Sequence, residues 1–415
     1  MNRINNLNKN ASSAVCGRSI FYPLLLLICW DFWGIACNNE DAPPESPAVA
    51  ERTVLVWLAG DNNLSAEVPR KIAALAEGYH AAVTDGGSVR LIVYADRYGE
   101  YPKLLEISPR GELQVLETYP AQNSASGETL RWMLTAMMER CPARRYGLIV
   151  FSHATGWLPQ GALENPENPG LGKKSDQRSG ATRTIFDDNG CQMEITEFAR
   201  ALPLPADNEK YDYIVFENCL MAGVEVAYEL RDKADRLLVS SAEILSPGFE
   251  EVYPSALSCL LAPEADLRAF ARSYYDYRNG EEGTYRSATV SVIRTEHLQK
   301  LAAAVRIALT SAMPLSADRL TSLQRFNRHR HTLFFDLEEY MEAAAPGKTE
   351  EVHNVLSRTV EYAAATPGFM TDTPYGFEIR RHCGLTVYIP QAEYPELNER
   401  YEALAWSKAA YPVLP

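Results

Sequence analysis

Residues 214–230 read IVFENCLMAGVEVAYEL. With the preceding Tyr211, Asp212 and Tyr213 they open on a short run, 211–216, rich in aromatic and β-branched residues, which reads as a strand buried on both faces. The run ends in Glu217-Asn218-Cys219, after which Met221, Val224, Tyr228 and Leu230 recur at roughly helical spacing. Cys219 therefore stands at the carboxyl end of a strand and near the amino end of a helix. Open α/β sheets bind ligands at strand carboxyl ends, and a helix amino terminus favours thiolate over thiol. Against that, a lone cysteine in apolar company is more often an inert core residue.

The same pattern extends outward. Residues 53–59 (TVLVWLA), 89–95 and 146–152 (YGLIVFS) are apolar runs of strand length, the first closed by Gly60-Asp61-Asn62-Asn63 and the last by His153. Helical patterns at 65–82, with Val68, Ile72, Leu75 and Ala76 on one face, and at 127–140 lie between them. Residues 103–107 and 113–116 flank Pro109-Arg110-Gly111 as an antiparallel hairpin. Helices at 195–202, 223–230, 265–277 and 295–311, with strands at 237–241 and 288–293, continue the alternation. Such alternation predicts an α/β fold, a mostly parallel sheet between helical layers, over residues 51–294. Residues 295–415 form a smaller, mainly helical C-terminal part in which Asp336 and Glu339 make an N-capping pattern. One late strand there, 384–389, is placed to rejoin the sheet. Residues 158–189, rich in Gly, Pro, Asn and charge, break the rhythm, and a loop of that length is functional or disordered.

The 415 residues are 46% hydrophobic and 23% charged, ordinary globular values that allow a sizeable core. Forty Lys and Arg against 54 Asp and Glu give a net charge of −14, which argues against a nucleic-acid partner. No G-x-G-x-x-G follows a strand, and Gly170-Leu171-Gly172-Lys173-Lys174 lacks a flanking strand and helix, which argues against nucleotide binding. Arg3, Lys9 and Arg18 precede the apolar stretch 20–33, and Gly34-Ile35-Ala36 leads to Cys37. This segment resembles a bacterial lipoprotein signal, cleaved before a lipidated Cys37; a plain signal peptide or an uncleaved anchor is the alternative. It implies the cell envelope, anchored at the outer membrane or cell surface of a Gram-negative bacterium, or secretion. Residues 38–50 read as a flexible tether. Cys141, Cys191, Cys219, Cys259 and Cys383 remain beyond Cys37, an odd number that leaves at least one thiol unpaired. No cysteine or histidine spacing suits zinc, so no structural metal is expected.

His153 and Cys219 each terminate a buried strand, one βαβ step apart. If those strands are neighbours, a thiol and an imidazole rise from one sheet edge, as nucleophilic acyl transfer requires. The sulfur attacks as thiolate and the imidazole protonates the leaving amine. The Ala154 and Cys219 N–H groups are the donors expected to face a developing oxyanion. A strand-end histidine satisfied by a carbonyl is the alternative reading of His153 alone.

These residues carry a family resemblance. FSHATGW at 151–157 and FENCLMAGVEVAYEL at 216–230 resemble the histidine and cysteine motifs of clostripain-like cysteine peptidases. VLVWLAGDNNL at 54–64, SSAEILSPGF at 240–249 and GLTVYIP at 384–390 resemble further parts of that family. The resemblance implies the caspase-like α/β/α sandwich shared with legumains and gingipains, with His153 as general acid/base and Cys219 as nucleophile. It implies cleavage of proteins or peptides after Arg or Lys, the basic side chain meeting an acidic residue two before the cysteine, here Glu217. Glu217 capping the following helix is the alternative, and Glu243 is a second pocket candidate. Two positions depart from the family's usual residues: Ala154 replaces the glycine after the histidine, and Asn218 the alanine before the cysteine. Alanine keeps the N–H donor provided its φ is negative. The residues require no cofactor, although some relatives depend on calcium. Relatives are also activated by self-cleavage after the histidine, for which Lys173, Lys174, Arg178 and Arg183 are candidates; a solvated surface loop is the alternative. A catalytically silent surface protein of this fold that binds peptide or glycan is the other functional class, and a thiol acyltransferase a third.

Overall fold

The computed structural model describes residues 48–83, 88–169, 185–188, 190–205, 209–310, 312 and 314–411. The chain runs β1 (Ala50–Gly60), α1 (Val68–Ala82), β2 (Val89–Arg97), β3 (Lys103–Ile107), β4 (Leu113–Thr118), α2 (Gly127–Arg140) and β5 (Ala143–Phe151). It continues through β6 (Phe186–Asp188), β7 (Cys191–Met193), α3 (Ile195–Ala201), β8 (Tyr211–Glu217), α4 (Val224–Glu229) and β9 (Ala234–Val239). Next come α5 (Tyr253–Leu261), α6 (Leu267–Gly280), β10 (Thr289–Arg294), α7 (Leu298–Leu309), α8 (Ala317–Ser322), β11 (Phe335–Asp336) and α9 (Leu337–Ala344). The last elements are α10 (Glu350–Thr359), β12 (Val360–Ala365), β13 (Gly368–Phe369), β14 (Phe377–Glu378), β15 (Thr386–Val387), α11 (Pro395–Glu402) and α12 (Ala405–Ala410).

Among the described residues one sheet has nine strands in the order β12-β10-β9-β8-β5-β1-β2-β3-β4. Its centre, β9-β8-β5-β1-β2, is parallel. Antiparallel β10 and β12 extend one edge and the hairpin β3-β4 the other. The apolar runs alternate between two helical layers, as period-two side chains must. Leu55, Trp57, Leu148, Val150, Ile214 and Phe216 enter the core beneath α2, α3, α4 and α7. Val54, Val56, Ile149, Phe151, Val215 and Leu238 enter the core beneath α1, α5 and α6. Burial on both faces is why these strands carry almost no polar residue. This is the expected α/β/α sandwich.

Several boundaries differ from the sequence reading. Helix α1 starts at Val68 because Pro69 fits only its first turn. The C-terminal part is no separate appendage: Leu298, Leu337, Tyr388, Tyr401 and Trp406 share one core with Trp57 and Phe216. The strand that joins the sheet from this part is β12, antiparallel to β10. The apolar stretch at 384–389 supplies only β15, which pairs with β11 and bridges Gly223. Asp336 does cap α9, accepting from the Glu339 N–H at 3.0 Å. Among the described residues no helix is long and apolar enough to cross a membrane. Residues 1–37, with Cys37, and Lys173, Lys174, Arg178 and Arg183 lie outside the described residues.

Candidate active site

Strands β5 and β8 lie side by side and parallel, with Phe151 opposite Glu217. His153 and Cys219 are each two residues beyond that pair, so they leave adjacent strands level with each other. Neighbouring strands are about 4.8 Å apart. Asn218 stitches the two strand ends together, its Nδ2 donating to Ser152 O at 2.9 Å and to Ile185 O at 3.4 Å. The asparagine that departs from the family pattern thus links the two candidate segments.

The histidine side is ordered by amides. His153 is half-buried, and its Nε2 lies 2.5 Å from Asn63 Oδ1 in the loop after β1. Asn62 builds that loop: its Oδ1 accepts from Leu64 N–H at 2.8 Å and its Nδ2 donates to Asp187 O at 2.8 Å. After His153 the chain turns through buried Ala154 and Thr155 to Gly156, with φ of +63°. A Cβ on Gly156 would fall 2.6 Å from Leu220 O, so only glycine allows the turn to lie against the residue after Cys219. Trp157 closes the turn with its ring 5.1 Å from both Tyr388 and Tyr401. Apart from glycines, only Leu220 and Met370 have positive φ among the described residues. Ala154 therefore has a negative φ.

The cysteine side is held by backbone and charge. Leu220, directly after Cys219, has φ of +60°, a left-handed conformation that costs on the order of 1–3 kcal/mol. The Leu220 N–H donates to Ala242 O at 3.0 Å and Ala222 N–H to Ser240 O at 2.9 Å, which fixes the strain in place. Cys219 is half-buried, and its Sγ accepts from Ile244 N–H at 3.4 Å. Burial pushes its thiol up to about 12, and the Glu243 carboxylate adds to the rise. The Ile244 N–H and the Arg328 guanidinium oppose it.

The two candidate pocket carboxylates already hold cations. Glu217, expected at the open base of a substrate pocket, is instead enclosed, with 1% of its side chain exposed. Its Oε1 receives Lys71 Nζ at 2.6 Å and Phe249 N–H at 2.5 Å, and its Oε2 receives Tyr253 OH at 2.8 Å. The alternation of β8 explains this: Glu217 follows Val215 onto the face covered by α1 and α5. It does not cap α4, whose N-cap is Gly223 without a side-chain bond. Glu243 Oε2 accepts from Arg328 Nε at 2.6 Å, with 32% of the arginine side chain exposed. Arg328 sits in a loop organised by Asn327, which accepts from Leu333 N–H at 3.1 Å and donates to His331 O at 2.7 Å.

Asn63, Lys71 and Arg328 were not legible as site residues. Lys71 left one trace, a charge on the apolar face of α1 between Val68 and Leu75. Beneath the Asn62 loop, Asp61, Asp96 and Asp188 approach one another. Burial first, then Asp188 and Asp61, push the Asp96 carboxyl up to about 8. Among the described residues no group of three or more His, Cys, Asp or Glu side chains could hold a metal ion.

Known proteins bear on this arrangement. The model of the clostripain family, peptidase C11, matches residues 56–362. No curated protein matches the chain. Among solved structures, an inactive zymogen C11 protease from Parabacteroides distasonis is 31% identical, with a TM-score of 0.74 over 88% of this chain and 99% of that one. A secreted C11 cysteine protease from Bacteroides thetaiotaomicron, in complex with an irreversible peptide inhibitor, is 26% identical with a TM-score of 0.71 over 87% and 99%. Iotapain, a secreted C11 cysteine protease of the same organism, shares the fold at 22% identity, with a TM-score of 0.74 over 88% and 100%. Sequence family and architecture agree: the chain belongs to the clostripain family of cysteine peptidases.

Proposed function

We propose that the chain is an endopeptidase that cuts after Arg or Lys, with Cys219 as nucleophile and His153 as general acid/base. The observation that supports this reading is the parallel register of β5 and β8, which pairs Phe151 with Glu217, each two residues before His153 and Cys219. In the reaction His153 takes the Sγ proton and the thiolate attacks the substrate carbonyl carbon. The Ala154 and Cys219 N–H groups face the oxyanion, each such donor contributing about 3–4 kcal/mol. The C–N bond breaks as His153 returns its proton to the amine, leaving a thioester. Water, deprotonated by the same imidazole, then frees the acid and restores the thiol.

The preference for basic residues is supported by the two acidic side chains of the cysteine wall, each of which already binds an internal cation. Glu243, beside the thiol and paired with the partly exposed Arg328, with His329 Nε2 4.0 Å from its other oxygen, is the carboxylate a substrate guanidinium or ammonium reaches by displacing Arg328. The raised thiol and the occupied Glu243 support a resting form, in keeping with the relative that is an inactive zymogen. Activation then follows cleavage in the basic stretch containing Lys173, Lys174, Arg178 and Arg183. The lipoprotein-like segment and the secreted relatives support export, with Cys37 as the lipid anchor at the outer membrane or cell surface.

The test is hydrolysis of Arg- and Lys-terminated fluorogenic peptides by wild type and Cys219→Ala. Each is assayed with calcium, with a chelator, and after trypsin nicking of the 173–183 stretch. Activity in wild type that the variant lacks supports the proposal. Silence of the nicked wild type in every condition refutes it and favours a peptide- or glycan-binding surface protein.

A further inference from the structure

One buried cation has no part in the chemistry above. Lys71 stands on the apolar face of α1, with 1% of its side chain exposed. Its ammonium reaches Glu217 Oε1 at 2.6 Å, Pro247 O at 2.9 Å and Glu67 Oε2 at 3.5 Å, and it lies 4.4 Å from the centre of the Phe151 ring. Burying an ammonium is costly unless it is matched, and here it donates to Glu217 and Pro247 O, with the Glu67 carboxylate as a second counter-charge. Glu217 also receives Phe249 N–H and Tyr253 OH, so one carboxylate joins β8, α1, α5 and the 245–249 segment. That segment lies directly on it: a Cβ on Gly248 would fall 2.2 Å from Glu217 Oε1. The same segment follows Ile244, whose N–H meets Cys219 Sγ, and Glu243, whose carboxylate raises the thiol. A substrate cation could reach Glu217 only by expelling Lys71.

We infer that Lys71 is a positioning residue of the peptidase site. By holding Glu217 it fixes the loop that sets Ile244 N–H and Glu243 beside Cys219, and it leaves recognition of a basic substrate side chain to Glu243. This rests on the peptidase reading, and the experiment separates the two.

The variant is Lys71→Met combined with Glu217→Gln, a neutral pair that strands no buried charge. Steady-state rates of each protein, nicked by trypsin in the 173–183 stretch, are measured on two fluorogenic peptides that differ only in ending with arginine or norleucine before the scissile bond. The expected result is a kcat at least tenfold lower on both peptides, with the arginine-to-norleucine ratio of kcat/KM within twofold of wild type. Glu243→Gln is expected to lower that ratio tenfold or more, and Lys71→Arg to restore most of kcat. A double variant that loses arginine preference but cleaves norleucine at the wild-type rate would put Glu217 against substrate and overturn the inference. So would a wild-type kcat on both peptides. If the double variant does not fold, Glu217→Gln alone gives the same ratio test, since Lys71 keeps Pro247 O and Glu67.

A second readout needs no turnover: alkylation of Cys219 by iodoacetamide at pH 8, followed by peptide mapping, which separates it from exposed Cys191. Loosening the loop over Sγ is expected to speed it at least threefold, and an unchanged rate overturns the positioning role even in a silent protein. Silence of trypsin-nicked wild type toward both peptides, with alkylation accelerated in the double variant, would count against the peptidase reading alone.

Discussion

The two walls of the site are built differently. The histidine wall is held by neutral amides: Asn62 orders its loop, Asn63 contacts the ring, and Asn218 ties Ser152 to the cysteine strand. The cysteine wall is held by charge, with Lys71 on Glu217 in the interior and Arg328 on Glu243 at the rim. Neutral bonds contribute about 0.5–1.5 kcal/mol each and tolerate small movements. A buried ion pair adds little net stability but is strongly destabilising to break. The wall that carries Cys219 is thus fixed in an all-or-none manner, while the wall that carries His153 retains some freedom.

The largest expected effect follows from that contrast. Glu217→Ala leaves Lys71 buried without its main partner and is expected to lower unfolding stability by about 3–5 kcal/mol, read by denaturant titration. A loss under about 1 kcal/mol would erase the difference between the walls. Where they meet, Gly156→Ala puts a Cβ against Leu220 O in a left-handed conformation. A loss of about 1–3 kcal/mol is expected, and no loss would show that the two turns do not abut as described.

The carboxylates under the histidine wall give a pH test. The native state keeps the Asp96 proton to about pH 8, whereas the ordinary carboxyl value is 3.8. Its contribution to stability is therefore complete below pH 4 and is lost as pH rises through 8, with a slope of at most about 1.4 kcal/mol per pH unit. Asp96→Asn should flatten the fall of Tm between pH 5 and 9, and parallel Tm curves would contradict the shift. The smallest effect belongs to the histidine wall itself. Asn63→Ala should lower kcat/KM by up to roughly tenfold while leaving Tm within a few degrees, the worth of one neutral hydrogen bond. A loss as deep as that of His153→Ala would mean the amide does more than orient the ring.

The parts of this design differed in how plainly the sequence displayed them. TVLVWLA, YGLIVFS and YDYIVF stood out because strands buried on both faces need unbroken apolar runs. Their ends, at Asn62-Asn63, His153 and Cys219, were legible with them. Helix α5, YPSALSCLL, stood out less: its buried Tyr253, Ala256, Leu257, Leu260 and Leu261 recur at helical spacing, but only over nine residues behind Pro254. Strand β12, VEYAAA, follows α10 with no breaking residue between them, and pairing with β10 overrides the helical preference of its alanines. Glu217 illustrates the deeper limit. Its spacing from Cys219 is local and readable, but its cation comes from a helix more than a hundred residues earlier, and no local pattern announces that partner.

The central claim, that residues 153 and 219 act as one unit, is tested most directly by covalent capture. The protein, nicked by trypsin in the 173–183 stretch, is incubated with an arginine-terminated peptidyl acyloxymethyl ketone and examined by intact mass and peptide mapping. A single adduct, on Cys219, is expected, with labelling at least a hundredfold slower in His153→Ala, the low end of what a positioned acid/base contributes at roughly 10²–10⁴-fold. An adduct on another cysteine, or labelling of Cys219 at the same rate without the imidazole, would contradict it.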